Sequence, residues 1–333
     1  MLWIRVLACL LLSSSNAQMP PIGTIDFYGL HNLSESQVRQ ALKIKEGDSV
    51  PASLDDAVKE LRALPGVERV YPNIGCCDSN GKSTLYIGIE EKGFQAVRFS
   101  AAPKKNILLS DDVVEAGEAF GKAIEQAVLS GDAVEDQSQG HALTHYPAAR
   151  AIQEQYIKFA ARDLKRLRDV LHNSNNAEHR ALAAQVIAYT KNKQAVVSDL
   201  VAAIKDPDEN VRNNAMRALG VMARAKSKIR IPYSPFISLL NSYVWEDRNK
   251  SAFNLYMLTQ KRDPALLAQL RNQGRESLAE MARWKSRGHA ITSFFILGRI
   301  AGIPEQAIYD AWEKDDREAI INAGMKNARK NPL

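Results

Sequence analysis

Between Ile22 and Lys92 the chain changes its hydrophobic period in an orderly way. Thr24-Ile25-Asp26-Phe27-Tyr28-Gly29-Leu30 alternates polar and apolar positions, which predicts a strand with one buried face. Ser34 stands as an N-cap ahead of Val38, Ala41, Leu42 and Ile44, spaced for one side of a helix that Gly47 ends. Ser53 opens a second helix with Leu54, Ala57, Leu61 and Leu64 on one stripe, and Pro65-Gly66 stops it. Two strands follow, Val67 to Ile74 and Thr84 to Glu90, around the polar Cys77-Asp78-Ser79-Asn80-Gly81-Lys82, whose Asn-Gly is a strong hairpin signal. The order strand, helix, helix, strand, strand predicts a small α+β domain with both helices on one face of a three-stranded sheet.

Three stretches of this segment resemble a POTRA domain. They are Ile25-Asp26-Phe27-Tyr28-Gly29-Leu30, Leu61-Arg62-Ala63-Leu64-Pro65-Gly66-Val67 and Ile87-Gly88-Ile89-Glu90-Glu91. The family pattern is a strand ending in Gly, a helix turning through Gly-Val, and a last strand ending in acidic residues. The resemblance covers residues 22–92, about a fifth of the chain, and implies a module that docks other proteins in bacterial envelope machinery. No series of alternating ten-residue strands follows, so the outer-membrane barrel that often accompanies such domains is not expected.

Residues 93–130 predict a connecting strand, through Phe94, Ala96, Val97 and Phe99, and then a helix from Asp111 to Leu129. Residues 131–146 are rich in Gly, Ser, Gln and Asp and predict a flexible linker. From 147 to 333 the pattern is helical and repeats itself. An apolar helix leads through a polar turn to a second helix with small residues, first at Leu167–Leu171 and His179–Ala184, then at Leu200–Ile204 and Val211–Ala215, then at Phe236–Leu240 and Asp247–Ala252. The helix-ending Leu171, Ile204 and Leu240 lie 33 and 36 residues apart, and a looser fourth copy runs from Ser286 toward Gly298. The second copy, with Lys205-Asp206-Pro207-Asp208, Val211-Arg212, Ala215 and Ala218-Leu219-Gly220, closely resembles a HEAT repeat. Pro207 blocks the first helix, Asp208 caps the next, and the alanines let paired helices approach. The resemblance implies that Arg180, Arg212 and Arg248, one per copy, form a structural ladder with Asp groups such as Asp208. The predicted fold is thus a small POTRA-like α+β domain followed by an all-α HEAT-like solenoid.

At the N-terminus Arg5, the apolar run Val6–Leu12 and Ser15-Asn16-Ala17 read as a signal peptide over residues 1–17. Lipid attachment at Cys9 is a competing reading, opposed by the apolar run continuing past the cysteine. No other stretch is apolar enough over about 20 residues to span a bilayer, so the mature chain is expected in the periplasm or secreted. Cys76 and Cys77 are then the cysteines left. Being adjacent, they read as a disulfide or redox pair, or as two buried small side chains.

Charge separates the two halves. The formal net charge is +6, and from Arg224 to Leu333 there are 19 Lys and Arg against 11 Asp and Glu, a net of +8. This basic third, with Arg224, Lys226, Lys228 and Arg230 in one loop and Trp245 suspected of exposure on a binding face, offers an anionic or partner surface. Export argues against nucleic acid. No Gly-x-Ser-x-Gly elbow or phosphate-cradling loop occurs, and His141 and His145, though four apart, lack a carboxylate at metalloprotease spacing. Neither a catalytic residue, a metal site nor a cofactor is therefore expected. The function expected is a non-enzymatic interaction scaffold of the bacterial cell envelope that binds envelope proteins through the small domain, with strand addition at the sheet edge as one mode. The alternatives are a basic solenoid on an anionic envelope polymer or lipid surface, and a HEAT-like enzyme resembling bilin lyase subunits.

Overall fold

The computed structural model describes residues 19–78, 80–94, 97–225 and 229–326. The signal-peptide reading with Cys9 and Ala17, and the basic residues Lys226 and Lys228, lie outside them. The chain forms two compact units, and they do not follow chain order. One joins the segment up to Val97 with the helices from Phe236 onward; the other is Arg98–Pro235. The boundary expected at 147 therefore does not separate compact bodies, because the small sheet buries itself against the last helices rather than standing alone.

The sheet contains β1 (Ile22–Tyr28), β2 (Val67–Gly75) and β3 (Ser83–Glu91), with α1 (Glu35–Leu42) and α2 (Asp55–Arg62) between the first two strands. The strand order is β1-β3-β2, with β3 parallel to β1 and antiparallel to β2. Val38, Leu42, Ala57 and Leu61 of the helices pack on Ile25, Phe27, Leu85, Ile87 and Ile89 of the sheet. Ser34 closes a capping box with Gln37. Lys43, at φ 58°, rather than Gly47, takes the left-handed position that ends α1.

All nine residues of β3 are buried, which one helical layer cannot achieve because alternate side chains point to opposite faces. The second layer comes from the end of the chain. Its side chains against the sheet are Tyr243, Trp245, Trp284 and His289. The unit Arg98–Pro235 holds α3 (Asp111–Leu129), the hairpin β4 (Glu135–Asp136) and β5 (Leu143–Thr144), α4 (Pro147–Arg162), α5 (Leu164–Asn173), α6 (Ala177–Ile187), α7 (Val197–Ala203) and α8 (Glu209–Arg224). The other unit then takes α9 (Ser234–Leu239), α10 (Trp245–Thr259), α11 (Pro264–Gln273), α12 (Arg275–Ala282), α13 (Arg287–Ile300), α14 (Glu305–Glu313) and α15 (Arg317–Met325). In α13 every residue from Ala290 to Ile300 is buried, including Arg299, which pairs with Glu305 and donates to Tyr256 O at 2.7 Å.

Tyr86 of β3 stacks on Trp245 with ring centroids 4.6 Å apart and meets Trp284 at 5.5 Å. Tyr28 donates its hydroxyl to Tyr243 O at 2.9 Å. Gly88 must lack a side chain, since a Cβ there would sit 2.5 Å from Tyr243 O and 2.7 Å from the Tyr28 ring. Gly29, at φ +78°, likewise lies against the Tyr243 ring. The close approach of main chains that these two glycines permit is what lets the sheet seat on the turn before α10.

Among the described residues no strand forms through Phe94, Val97 and Phe99. Instead the segment 98–110 runs extended along repeat turns: Ser100 N donates to Lys205 O at 2.7 Å, and Lys105 exchanges main-chain bonds with Asn173 at 3.1 Å and Asn175 at 2.8 Å. Residues 131–146 are not a free linker. They close the β4–β5 hairpin and bury His141, Ala142, Leu143 and Thr144. Polar composition marks a loop for lack of local apolar periodicity, but it does not report the side-chain hydrogen bonds that fix this one.

Candidate functional site

The helix pairs repeat one electrostatic device. Arg180, Arg212 and Arg248 are each almost fully buried, four residues into the second helix of a pair. Each donates to the carbonyl six residues earlier, Ser174 O at 2.9 Å, Asp206 O at 3.0 Å and Ser242 O at 2.5 Å. Arg180 also grips Asp206 of the next pair through two 2.8 Å bonds, a bidentate fork suited to a buried site. Arg212 lies 3.8 Å from the Phe99 ring centroid, and Arg248 lies 4.8 Å from that of Tyr28 while pairing with Glu280. Asp208 caps α8 by accepting from Asn210 N and Val211 N. The partner of Arg180 is thus Asp206, two residues before the cap.

The residue two before each cap also holds its own turn. Ser174 Oγ accepts from Asn176 N, Asp206 Oδ1 from Asp208 N, and Ser242 Oγ from Val244 N, at 3.1, 2.9 and 3.1 Å. Before α13 the matching position is Trp284, which has no acceptor to offer. There the acceptor comes from the sheet: Asp26 of β1 takes Lys285 N at 2.7 Å and Ser286 N at 3.0 Å. Burial raises the Asp26 carboxyl above its ordinary value, and these two bonds with the Lys285 charge offset part of that.

A groove of about 590 Å³ opens in this unit between Ile25–His31 and α12, with Asn241, Tyr243 and Met325 also on its walls. Its charged groups are largely committed to one another. Glu280 accepts from Gly29 N at 2.6 Å and pairs with Arg248, Arg283 pairs with Glu318 at 2.8 Å, and Glu35 pairs with Arg39 at 2.8 Å. At the rim, His31 stacks on Phe94 with centroids 3.6 Å apart, and Phe94 is 37% exposed. Below them Glu91 accepts from the main-chain N–H groups of His31, Asn32 and Leu33, tying the end of β3 to the loop before α1.

Strand addition at the sheet edge meets an obstacle in this geometry. The outer side of β1 is already bonded: Ile22 exchanges bonds with Asp48 O at 2.9 Å and Gly47 N at 2.7 Å. Ile25 O accepts from Arg39 at 3.3 Å, and Ile25 N donates to Glu46. Burial works to raise the Glu46 carboxyl, but Lys285 and Arg39 outweigh it and hold it below the usual range. The other edge, β2, carries Pro72, which removes a donor. Both edges carry the devices by which sheets resist pairing with further strands.

The remaining residues singled out in the sequence are dispersed. Cys76 and Cys77 are joined by a disulfide just after β2, half-buried. Arg224 donates to Gln137 Oε1 at 3.0 Å, and the Arg230 main chain is held by Gln194. Trp245, expected on an exposed binding face, is 4% exposed because the Tyr86 ring covers it, a partner more than 150 positions away that no local spacing reveals. His141 sits in the hairpin rather than on a helix face, and no group of three or more metal-capable side chains occurs among the described residues. Sequence reasoning missed Asp26 and the paired acid–base groups around β1. The signal for Asp26 was a charged residue among the apolar positions of a buried strand.

Residues 164–253 match the family of HEAT repeats, a span that runs from α5 to within α10 and carries Arg180, Arg212 and Arg248. No curated protein matches the chain. The helix pairs within residues 164–253 are therefore similar to HEAT repeats, units that bury their apolar faces by stacking on their neighbours.

Proposed function

We propose that this chain is an exported, non-enzymatic scaffold of the bacterial cell envelope that holds protein partners, with residues 22–92 acting as a POTRA-like docking region. The observation that carries the reading is the array of arginine-laddered helix pairs matching HEAT repeats, because such arrays expose long surfaces while their turns stay rigid. The strand order and the helix-covered sheet support the POTRA-like assignment. The signal-like start of the sequence supports export, and no helix among the described residues is long and apolar enough to cross a membrane. Because both sheet edges are protected, docking by the α/β region uses side chains at the groove mouth, where the His31–Phe94 stack and Glu276 face outward.

Crosslinking of the tagged full chain in its native envelope, read by mass spectrometry, tests this. Enrichment of one protein that Phe94→Ala and Glu276→Lys together abolish supports docking through the groove. Capture of wall polymer or lipid alone, released by moderate salt, defeats it and points to the basic third as the working surface.

A further inference from the structure

The hairpin β4–β5 is fastened to three helices by polar contacts. Thr144 N donates to Gln153 Oε1 of α4 at 2.7 Å, Tyr189 just beyond α6 donates its hydroxyl to Ala142 O at 2.8 Å, and Glu135 pairs with Arg217 of α8. Its tip is held differently. His141 is 7% exposed and Lys193, in the turn Lys193–Val196, is 8% exposed. The Lys193 ammonium donates to His141 Nδ1 at 2.9 Å and to Ala188 O at 2.8 Å. His141 Nε2 is buried without a hydrogen-bond partner.

An ammonium has donors only, so it bonds to His141 while Nδ1 keeps its lone pair. The pair holds one proton comfortably, on either nitrogen. A second proton puts two donors and two positive charges face to face in a buried site, and the bond cannot survive it. The other groups near His141 do not rescue it. The Tyr189 ring lies 5.0 Å away with its hydroxyl already spent, Arg217 and Glu135 neutralise each other, and Asp136 of the hairpin acts on His141 only weakly, behind burial and Lys193. We propose that the hairpin Glu135–Thr144 is an acid-released latch, freed from α4, α6 and α8 when the His141–Lys193 pair takes up its second proton. Burial, and then the Lys193 charge, push His141 down to about 4, and burial pushes Lys193 down to about 8. The folded hairpin therefore keeps His141 neutral in mild acid, whereas the open hairpin, with an ordinary imidazole near 6.5, takes the proton readily. Opening is favoured as pH falls through that interval, and it exposes Tyr189 and Leu143. The latch does not depend on what the array binds.

Hydrogen exchange read by mass spectrometry on the full chain tests it. After correction for the intrinsic pH dependence of exchange, the amides of residues 135–145 are expected to lose roughly 100-fold of protection between pH 7.5 and 4.5, while those of α5, α7 and α8 keep theirs. His141→Gln, which keeps an acceptor for Lys193 and takes no proton, is expected to hold the hairpin closed at pH 4.5. The proposal is overturned if the wild-type hairpin stays equally protected, if all helices of the unit open with it, or if His141→Gln opens like wild type. Should that variant not fold, the His141 imidazole can be followed by NMR in the wild-type chain. Protonation without loss of hairpin protection overturns the latch equally.

Discussion

In the unit Arg98–Pro235 the turns of the helix pairs are lined by one extended segment; in the other unit a folded sheet does the same work. Both present an aromatic ring to a buried repeat arginine, Phe99 over Arg212 and Tyr28 over Arg248. Both supply polar groups to the turns, through Ser100 and Lys105 in one case and Asp26 in the other. The surroundings differ. Phe99 is half-buried on a segment without its own core, whereas Tyr28 is fully buried in a strand whose opposite face packs on α1 and α2. One arginine chemistry is therefore served by a peripheral strap and by a structural core, and the two should respond differently to perturbation.

The sharpest break is expected at Tyr28→Ala. It removes a fully buried aromatic ring and its bond to Tyr243 O, so about 3–5 kcal/mol should be lost in denaturant unfolding. Exchange protection should fall in β1 to β3 and in α10 and α13 together. If the sheet melts while these helices stay protected, the two layers are not one core.

Acid comes next. His289 is buried, with Tyr86 and Ser286 on its Nδ1, and burial followed by the Lys250 charge pushes it down to about 4. Its folded value lies below the ordinary 6.5, so its contribution is intact above pH 6.5 and is lost as pH falls toward 4. The loss amounts to about 3 kcal/mol at most. His289→Gln should flatten this slope in the unit holding the sheet and leave the hairpin's acid response unchanged. An equal slope in the variant would assign it elsewhere.

A smaller effect is expected from Asp26→Ala, which strands the Lys285 and Ser286 N–H groups and should cost about 1–3 kcal/mol. Asp26→Asn, which keeps an acceptor, should recover part of it in the same unfolding measurement. Smallest is Phe99→Ala, at about 1 kcal/mol, since the ring is half-buried and its main contribution is contact with Arg212. If Phe99→Ala proves as costly as Tyr28→Ala, the strap is as central to its unit as the sheet is to the other.

The elements of the small sheet were legible because alternation and turn residues act locally. The strands, the second helix and the start of the first fall within one or two residues of where the pattern puts them, whereas the first helix ends at Lys43, four residues before the Gly47 the pattern points to. The helix pairs and the buried arginines were legible from repetition. Which Asp serves which arginine was not legible, since Asp206, which takes Arg180, and Asp208, which caps α8, are indistinguishable by composition and differ only in which way the turn points them. The β4–β5 hairpin and the extended path of residues 98–110 were hidden, because their order comes from hydrogen bonds to helices far along the chain.

By itself, the sequence determined the periodicity of each element, the repeat, and the small residues that let main chains meet, for these follow from steric and hydrophobic rules acting over a few positions. Only the tertiary structure decided that the second face of the sheet belongs to the last helices. That face reads as Asp26, Tyr28, Tyr86 and Gly88, polar or small in a local pattern. It becomes a core only when Trp245, Trp284 and His289 arrive to cover it. The protected sheet edges and the lone Lys193–His141 contact have the same origin, since each joins residues that are distant in the chain and adjacent only once it has folded.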